Sequence, residues 1–280
     1  SIAGETKKGR DFKLKLEKKD LIELHRSFVE DFLTQKGNED ILKQYQERYP
    51  EKIRLILGDV NVGGTANFRR VIEASKAKYL AFLDGDDYFT DNYKLQKQVD
   101  FLERNTEYVA CFHNVYNQVG NEFVSLFLPL NFKSIHTAED VISKKWFLPI
   151  HSVVLRRDCV FFPDWYETVK SNQDYVVNLA VAMHGPYYYI PDVMAVYRHH
   201  DKNVSRQYSD IILIDTKLKR ILEGFKSIYP KSYESCFDRK IAYYEKEIIS
   251  AQKDKRHPIR KWLRLKTYKR LLRSFLRSRI

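Results

Sequence analysis

The stretch Lys78–Asp87 reads KYLAFLDGDD, an apolar run that ends abruptly in three carboxylates within four residues. Lys78–Leu83 predicts a buried β-strand, whereas Asp is disfavoured in strands and adjacent carboxylates repel one another. A divalent cation would relieve that repulsion, and Asp oxygens are ligands that Mg²⁺ and Mn²⁺ prefer. Because ligands in open α/β sheets lie at the carboxyl ends of strands, the pattern favours a metal and phosphate site here. The alternative is an acidic turn that leads into a helix.

Strand-like and helix-like runs alternate around this stretch, which is typical of an α/β domain. The other expected strands are Lys52–Leu57, Tyr108–His113, Glu122–Leu128, Tyr187–Ile190 and Ala195–His199. The expected helices are Asp20–Gln35, Glu39–Arg48, Thr65–Ser75, Asn92–Glu103, His136–Ser143 (capped by Thr137) and Asp174–Met183. We therefore divide the chain into an atypical N-terminal segment (1–37), an α/β domain (38–205) and a helical C-terminal region (206–280).

The composition indicates a packed globular core, since 44% of the 280 residues are hydrophobic. The three cysteines, Cys111, Cys159 and Cys236, are few and far apart. Their spacing argues against a disulfide framework and a zinc knuckle, and it is typical of a reducing cytoplasm. The sequence shows no apolar run of membrane-spanning length and no signal-peptide pattern. We therefore expect a cytoplasmic protein.

Three further motifs have both a functional and a purely structural interpretation. Asn61–Asn67 (NVGGTAN) would let a ligand approach the backbone and a helix N-terminus, or would simply form a glycine turn. Asp174 would be a general base or a helix N-cap. Tyr197–His200 (YRHH) would bind phosphate or complete a metal site, or would be a polar strand end. The residues alone leave these alternatives open.

Taken in order, the motifs resemble those of the family 2 glycosyltransferases, which are inverting enzymes with the GT-A fold. The resemblance runs from about Glu39 to Ser205. It is carried by Asn61-x-Gly63…Asn67, Tyr79–Asp87, Lys94-Leu95-Gln96-x-Gln98, Pro149–Ser152, Gln173–Tyr175 and Tyr197-Arg198-x-His200. It implies an α/β fold with a GT-A-like mixed sheet flanked by helices. It also implies transfer of a sugar from a nucleotide-sugar donor, by default a UDP-sugar, to a hydroxyl acceptor with inversion.

The resemblance also implies residue roles. Asp84 and Asp86 would face the nucleotide and a Mn²⁺ or Mg²⁺ ion, with Asp86 as the main metal ligand of a DXD motif. Asp174 would deprotonate the acceptor hydroxyl. The residues implied in nucleotide-sugar binding are Asn61, Gly63, Asn67, Asp84, Arg198, His199 and His200.

Residues 1–37 depart from the family pattern. Family members begin with an apolar strand that ends in a Pro-x-Tyr-Asn-like turn, and a second strand that ends in an acidic pair followed by Ser-Thr-Asp. These elements hold the base and ribose of the nucleotide, and residues 1–37 contain neither motif. A second hypothesis is therefore a truncated or inactive GT-A remnant that acts as a membrane-surface or partner-binding module. A third is a phosphohydrolase that uses the Asp cluster.

Residues 255–280 form a basic segment with eleven Lys or Arg and no acid, and so carry nearly all of the net charge of +12. Within it, Leu265–Arg277 separates an apolar from a basic face at 100° per residue. Such a helix is expected to lie in an anionic membrane interface, or alternatively to pack its apolar face on the domain. Nucleic acid is not favoured as a partner because no aromatic stacking surface accompanies the charge. The expected partners are a nucleotide-sugar donor, a saccharide or lipid-linked acceptor and the inner face of the plasma membrane, in cell-surface polysaccharide biosynthesis.

Overall fold

The computed structural model describes residues 22–24, 38–57, 60–144, 146–200 and 211–256. The chain divides into two compact units. The first comprises Ser1–Tyr116 and Leu126–Arg198, and the second comprises Asn117–Ser125 and His199–Ile280. The predicted amphipathic helix at Leu265–Arg277 lies outside the described residues.

The described residues form both helices and strands, with short 3₁₀ turns between some of them. The helices are α1 (Asn38–Arg48), α2 (Gly63–Ala74), α3 (Lys94–Arg104), α4 (Ala138–Ser143), α5 (Tyr166–Val169), α6 (Gln173–Ala182), α7 (Ile211–Lys226) and α8 (Glu234–Arg256). The strands are β1 (Ile22–Leu24), β2 (Tyr79–Ala81), β3 (Tyr88–Phe89), β4 (Ala110–Val119), β5 (Glu122–Leu126), β6 (Ile135–His136), β7 (Val154–Arg156) and β8 (Tyr187–His199). The 3₁₀ turns are Ile150–Ser152, Arg157–Cys159 and Lys231–Tyr233.

Across the described residues the strands form one mixed sheet in the order β1-β2-β7-β4-β8-β3, with β5 paired to β4 and β6 paired to β8. β1 runs parallel to β2, with Ile22 opposite Tyr79. β7 runs antiparallel to both β2 and β4, and β8 runs antiparallel to β3 and β6. The mixed sheet with flanking helices confirms the predicted fold class.

The core of the first unit forms around β2. Every residue from Tyr79 to Leu83 is buried, because β2 lies between two other strands and is covered on both faces. Leu95, Val99 and Leu102 form the apolar stripe of α3 and pack against Tyr79, as their helical spacing predicted. Each such buried side chain contributes on the order of 1.5–3 kcal/mol, so the strand that precedes the Asp turn is firmly held.

Two predictions around this core were wrong. Residues 53–57 form no strand, and Leu57 is 43% exposed. The two neighbours of β2 are β1 and β7, so the apolar run at 52–57 finds no backbone partner there. The helix predicted over Asp20–Gln35 is likewise contradicted at Ile22–Leu24, which forms β1. Pairing with β2 overrides the local helical pattern, so residues 1–37 do supply a strand next to β2.

The two strands predicted at 187–190 and 195–199 form the single strand β8. β8 pairs with β4 and, on the two sides of Pro191, with two further strands: β6 at Tyr187 and Tyr188, and β3 at Ala195 and Val196. Pro191 therefore lies outside the pairs with β6 and β3, and the strand continues through it.

In the second unit, α7 and α8 pack against each other. Ile221, Leu222 and Phe225 of α7 and Phe237 of α8 are fully buried. The Phe237 ring lies 5.0 Å from that of Tyr229, between centroids. Among the described helices, none combines the length and the apolar character needed to cross a membrane.

Candidate functional site

Asp84–Asp87 forms a tight turn that follows β2 after two further buried residues, Phe82 and Leu83. The Asp87 amide donates to the Asp84 carbonyl oxygen at 3.1 Å, which places Gly85 and Asp86 at the tip. Carboxylate oxygens of Asp84, Asp86 and Asp87 lie within 4.8 Å of one another. Asp84 and Asp86 are half-buried, whereas Asp87 is buried. The buried strand thus presents a compact cluster of carboxylates at its carboxyl end, as the sequence predicted.

The three carboxylates of the turn repel one another when they are ionised. Burial raises the pKa of Asp84 to about 7, and the charges of Asp86 and Asp174 add to the shift. A bound divalent cation would favour the ionised carboxylates. Closely spaced oxygen donors are also the set that Mg²⁺ and Mn²⁺ prefer. The residues of the turn therefore fit such an ion.

Asp174 lies in the first turn of α6, and Asn172 is the N-cap of that helix. The predicted alternative, in which Asp174 itself caps the helix, is therefore wrong. Its Oδ1 accepts a hydrogen bond from the Tyr175 amide at 2.9 Å. Burial raises the pKa of Asp174 to about 6, and its charge acts on Asp84. The fold thus brings a carboxylate of elevated pKa close to the carboxylate turn.

The Asn61–Asn67 segment is held against the start of α6. Gln173 donates from Nε2 to Thr65 Oγ1 at 3.0 Å, so the loop contacts the residue that precedes Asp174. At its front, Asn61 Oδ1 accepts from the Gly63 amide at 2.8 Å. Asn67 is buried, and its Oδ1 accepts from the Arg70 guanidinium at 2.6 Å. The backbone of Asn61–Gly63, rather than the Asn67 side chain, is therefore the part of this loop nearest to solvent.

Replacing Gly63 and Gly64, the first two residues of α2, with alanine should have opposite effects on the free energy of unfolding. Gly63 has φ +80°, where an alanine costs roughly 1–2 kcal/mol although no atom obstructs its Cβ. A Cβ on Gly64 would meet Gln173 Nε2 at 3.6 Å, an ordinary contact. Gly64→Ala should therefore stabilise α2 by up to about 1 kcal/mol. Urea unfolding followed by tryptophan fluorescence should show Gly63→Ala less stable and Gly64→Ala equal or more stable than the wild type. Equal losses in both variants would contradict the assigned backbone conformation.

Arg198 is the residue of the Tyr197–His200 motif that the structure brings to the carboxylate turn. Its amide donates to Asp87 Oδ1 at 2.9 Å, and its Nε donates to the Asp86 carbonyl oxygen. Its guanidinium lies 5.9 Å from the centroid of the Tyr88 ring. His199 and His200 belong to the second unit, where His199 Nε2 lies 3.0 Å from Asn117 Oδ1.

The sequence alone assigned no role to His151, which the structure places beside the carboxylate turn. His151, in the 3₁₀ turn Ile150–Ser152, is buried, and its Nδ1 lies 3.1 Å from Asp87 Oδ2. It belongs to the Pro149–Ser152 motif, so a signal was present in the sequence. Its contact with Asp87 could not be predicted, because the two residues lie on separate segments of the chain.

The chain is similar to known proteins in sequence and in fold. The model of glycosyl transferase family 2 matches residues 28–161. An uncharacterised protein of Mycobacterium tuberculosis (strain ATCC 25618 / H37Rv) is 36% identical over 166 residues, which are 57% of this chain and 46% of the relative. The chain thus spans about half the length of the curated relatives it matches.

Two solved structures share the fold. S. aureus TarS 1-349 in complex with UDP-GlcNAc aligns with a TM-score of 0.52 and 14% identity, over 72% of this chain and 58% of that one. The mannosyltransferase PcManGT from Pyrobaculum calidifontis, in complex with GDP-Man and Mn²⁺, aligns with a TM-score of 0.50 and 12% identity, over 86% and 69% of the two chains. At these identities the likeness concerns the fold alone. Residues 28–161 are thus similar to glycosyl transferase family 2, and the fold is GT-A-like, as in these solved structures.

Proposed function

We propose that the protein is a metal-assisted glycosyltransferase that moves a sugar from a nucleotide-sugar donor to a hydroxyl acceptor with inversion. The observation that carries the proposal is the proximity of Asp174, a carboxylate of elevated pKa, to the carboxylate turn Asp84–Asp87. Such a pair of groups provides a base and a cation site in one place. The donors bound by TarS and PcManGT support a nucleotide-sugar, and a UDP-sugar is the first candidate.

The turn and Arg198 would bind the donor diphosphate. Asp86 and Asp84 would hold a Mn²⁺ or Mg²⁺ ion, because they are the more accessible carboxylates of the cluster. When bound, that ion supplies Lewis-acid stabilisation of the charge that develops on the departing diphosphate. Arg198, fixed by its Nε at the Asp86 carbonyl, adds a positive charge beside the same phosphates. His199 and His200 remain proposed donor-binding residues, as do Asn61, Gly63 and Asn67.

Asp174 would act as the general base. Its pKa of about 6 leaves it ionised near neutral pH while making it a stronger base than an ordinary aspartate. It would take the proton of the acceptor hydroxyl as that oxygen attacks the anomeric carbon. Attack from the side opposite the diphosphate inverts that centre in one displacement, so no protein nucleophile is required. The sugar–oxygen bond to the diphosphate breaks as the new glycosidic bond forms.

The elevated pKa of Asp174 predicts the acid limb of the pH profile. Only the ionised carboxylate accepts a proton, so kcat at saturating Mn²⁺ and donor, where the bound cation keeps Asp84 ionised, should fall about ten-fold per pH unit below pH 6 and reach a plateau above it. An aspartate of ordinary pKa would keep the plateau down to about pH 4. Initial rates between pH 4.5 and 8, with circular dichroism at each pH as a folding control, test this. A rate that is flat down to pH 5 would contradict the base assignment.

Nucleotide binding tests the proposed function directly. Calorimetric titration of UDP, and of GDP in parallel, should show binding of one nucleotide that depends on added Mn²⁺. Release of that nucleotide from its sugar conjugates then identifies the donor. No binding of either nucleotide to a folded sample would favour an inactive GT-A protein with a binding role. Phosphate release from simple phosphomonoesters would favour a phosphohydrolase instead.

We also propose that residues 255–280 attach the protein to an anionic membrane surface, at the inner face of the plasma membrane, where a lipid-linked acceptor would be available. Each basic residue near such a surface contributes on the order of 1 kcal/mol, and the segment has eleven. Deleting residues 257–280 removes nine of the eleven basic residues and leaves α8 intact. The deletion should lower co-sedimentation with phosphatidylserine-containing vesicles at least about ten-fold. Vesicles of phosphatidylcholine alone are the control, and undiminished binding of the truncated protein would show that the segment has another role.

A further inference from the structure

Asp87 differs from the other two carboxylates of the turn because both of its oxygens are already engaged inside the protein. The residue is 6% exposed. Oδ1 accepts from the Arg198 amide at 2.9 Å, and Oδ2 lies 3.1 Å from His151 Nδ1. It thereby joins three separate segments: the turn after β2, the end of β8 and the 3₁₀ turn Ile150–Ser152. Asp87 therefore links these segments to one another rather than serving as a ligand for a cation.

His151 contacts Asp87 through Nδ1, whereas its second ring nitrogen, Nε2, has no hydrogen-bond partner among the described residues. That second nitrogen is buried. Burial opposes charge on both groups, since it raises the pKa of Asp87 and lowers that of His151. Burying an unsatisfied polar atom costs about 1–3 kcal/mol, and apolar residues of similar size often replace a buried polar pair without loss. A contribution to the free energy of unfolding therefore does not account for this pair. Its effect on the position of the turn does.

The segment that carries His151 is itself held from α3. Gln98 donates from Nε2 to the Ser152 carbonyl oxygen at 2.8 Å, and Ser152 Oγ donates to the Pro149 carbonyl oxygen at 2.7 Å. Lys94 is fully buried, and its Nζ donates to Gln98 Oε1 at 2.8 Å, which orients the Gln98 amide. The position of the His151 ring is thus determined by a buried polar network rather than by a flexible loop.

We propose that His151 is a positioning residue that acts through Asp87 to place Asp86 for the cation. Asp86 is adjacent to Asp87 in the turn, and Arg198 binds both, through its amide to Asp87 and through Nε to the Asp86 carbonyl. If the His151 contact is lost, the turn loses its link to the 3₁₀ segment. The inference rests on the cation site of the proposed function. Loss of a direct partner of a metal ligand typically lowers metal affinity 10–100-fold, and because His151 contacts Asp87 rather than Asp86 we expect the lower end of that range.

Side-chain geometry supplies matched variants. The amide of an asparagine reaches the place of Nδ1 and can donate or accept, whereas the amide of a glutamine reaches the place of Nε2 and misses Asp87. Leucine fills the space without a polar atom. His151→Asn, His151→Gln and His151→Leu are compared with wild type and Asp86→Ala. Binding of Mn²⁺ in the presence of UDP, or of GDP if that nucleotide binds, is followed by the loss of the free-Mn²⁺ electron paramagnetic resonance signal. The melting temperature without metal is measured in parallel.

We expect Mn²⁺ affinity to fall at least about ten-fold in His151→Leu and His151→Gln, and to stay within about three-fold of wild type in His151→Asn. A purely structural role would lower the melting temperature without changing the Mn²⁺ affinity of the folded protein, and that result would overturn the inference. If His151→Leu does not fold, the contrast between the asparagine and glutamine variants decides alone. Loss of Mn²⁺ binding in Asp86→Ala with normal binding in all His151 variants would overturn only this inference. Absence of Mn²⁺ binding by the wild type would overturn the cation site itself.

Discussion

Replacing Asp86 with alanine is expected to lower Mn²⁺-stimulated sugar transfer about 10³-fold and to abolish Mn²⁺-dependent nucleotide binding. The variant removes one of three carboxylates whose oxygens lie within 4.8 Å of one another. The cation then loses its main ligand, and the departing diphosphate loses several kcal/mol of charge stabilisation, where each 1.36 kcal/mol corresponds to ten-fold in rate. Calorimetry with the nucleotide identified for the wild type, with and without Mn²⁺, measures the binding step. A coupled assay of nucleotide release measures turnover.

Stability measurements separate loss of the site from loss of the fold. Because three clustered carboxylates repel one another, Asp86→Ala should melt at the same or a higher temperature than the metal-free wild type. The wild type, and not the variant, should gain stability when Mn²⁺ and nucleotide are added. Asp192→Ala is the matched control, since it removes an exposed aspartate that pairs with Lys97 on the same unit. Equal Mn²⁺ dependence in Asp86→Ala and wild type would remove Asp86 from the site.

Replacing Asp174 with asparagine is expected to lower kcat by about 10²–10⁴-fold and to leave donor affinity within about two-fold of wild type. The amide retains the oxygen that accepts the Tyr175 amide, so the first turn of α6 should persist. It cannot take a proton from the acceptor hydroxyl. Removal of a carboxylate whose pKa burial raises to about 6 should also make the protein equally or more stable above that pH.

Comparing kcat with nucleotide affinity tests the role of Asp174. Rates with the best acceptor found in a screen give kcat, and calorimetry with Mn²⁺ and nucleotide gives the affinity. Asn178→Ala is a useful control, because the Asn178 side chain donates to the Asp174 carbonyl oxygen at 2.8 Å and accepts from the Tyr187 hydroxyl, and the substitution leaves the Asp174 carboxylate in place. A fall in nucleotide affinity equal to the fall in kcat would place Asp174 among the donor-binding residues instead. Unchanged kcat would exclude it as the base.

Much of the fold could be predicted because the signals are local. The apolar spacing of Leu95, Val99 and Leu102 predicted α3, and Thr137 caps α4 in a capping box as expected. The failures at Lys52–Leu57 and at Ile22–Leu24 have a different origin. Both segments have enough apolar residues for a strand, and only the pairing partner decides which of them joins β2. That decision depends on backbone hydrogen bonds between distant segments, which no local pattern records.

The candidate site likewise has one part that the sequence predicts and another part that depends on the tertiary structure. The carboxylate turn could be identified from the sequence, since the buried strand and the three aspartates are contiguous and a cation is the simplest reason to cluster them. Its neighbours could not be derived from the residues, because Arg198 lies 111 positions from Asp87 and Asp174 reaches Asp84 only when α6 packs on the same core. The sequence by itself therefore determined the chemistry that is available at the end of β2. Only the tertiary structure decided which groups share that place, because burial and charge proximity, which raise the pKa values of Asp84 and Asp174, arise when distant segments come together.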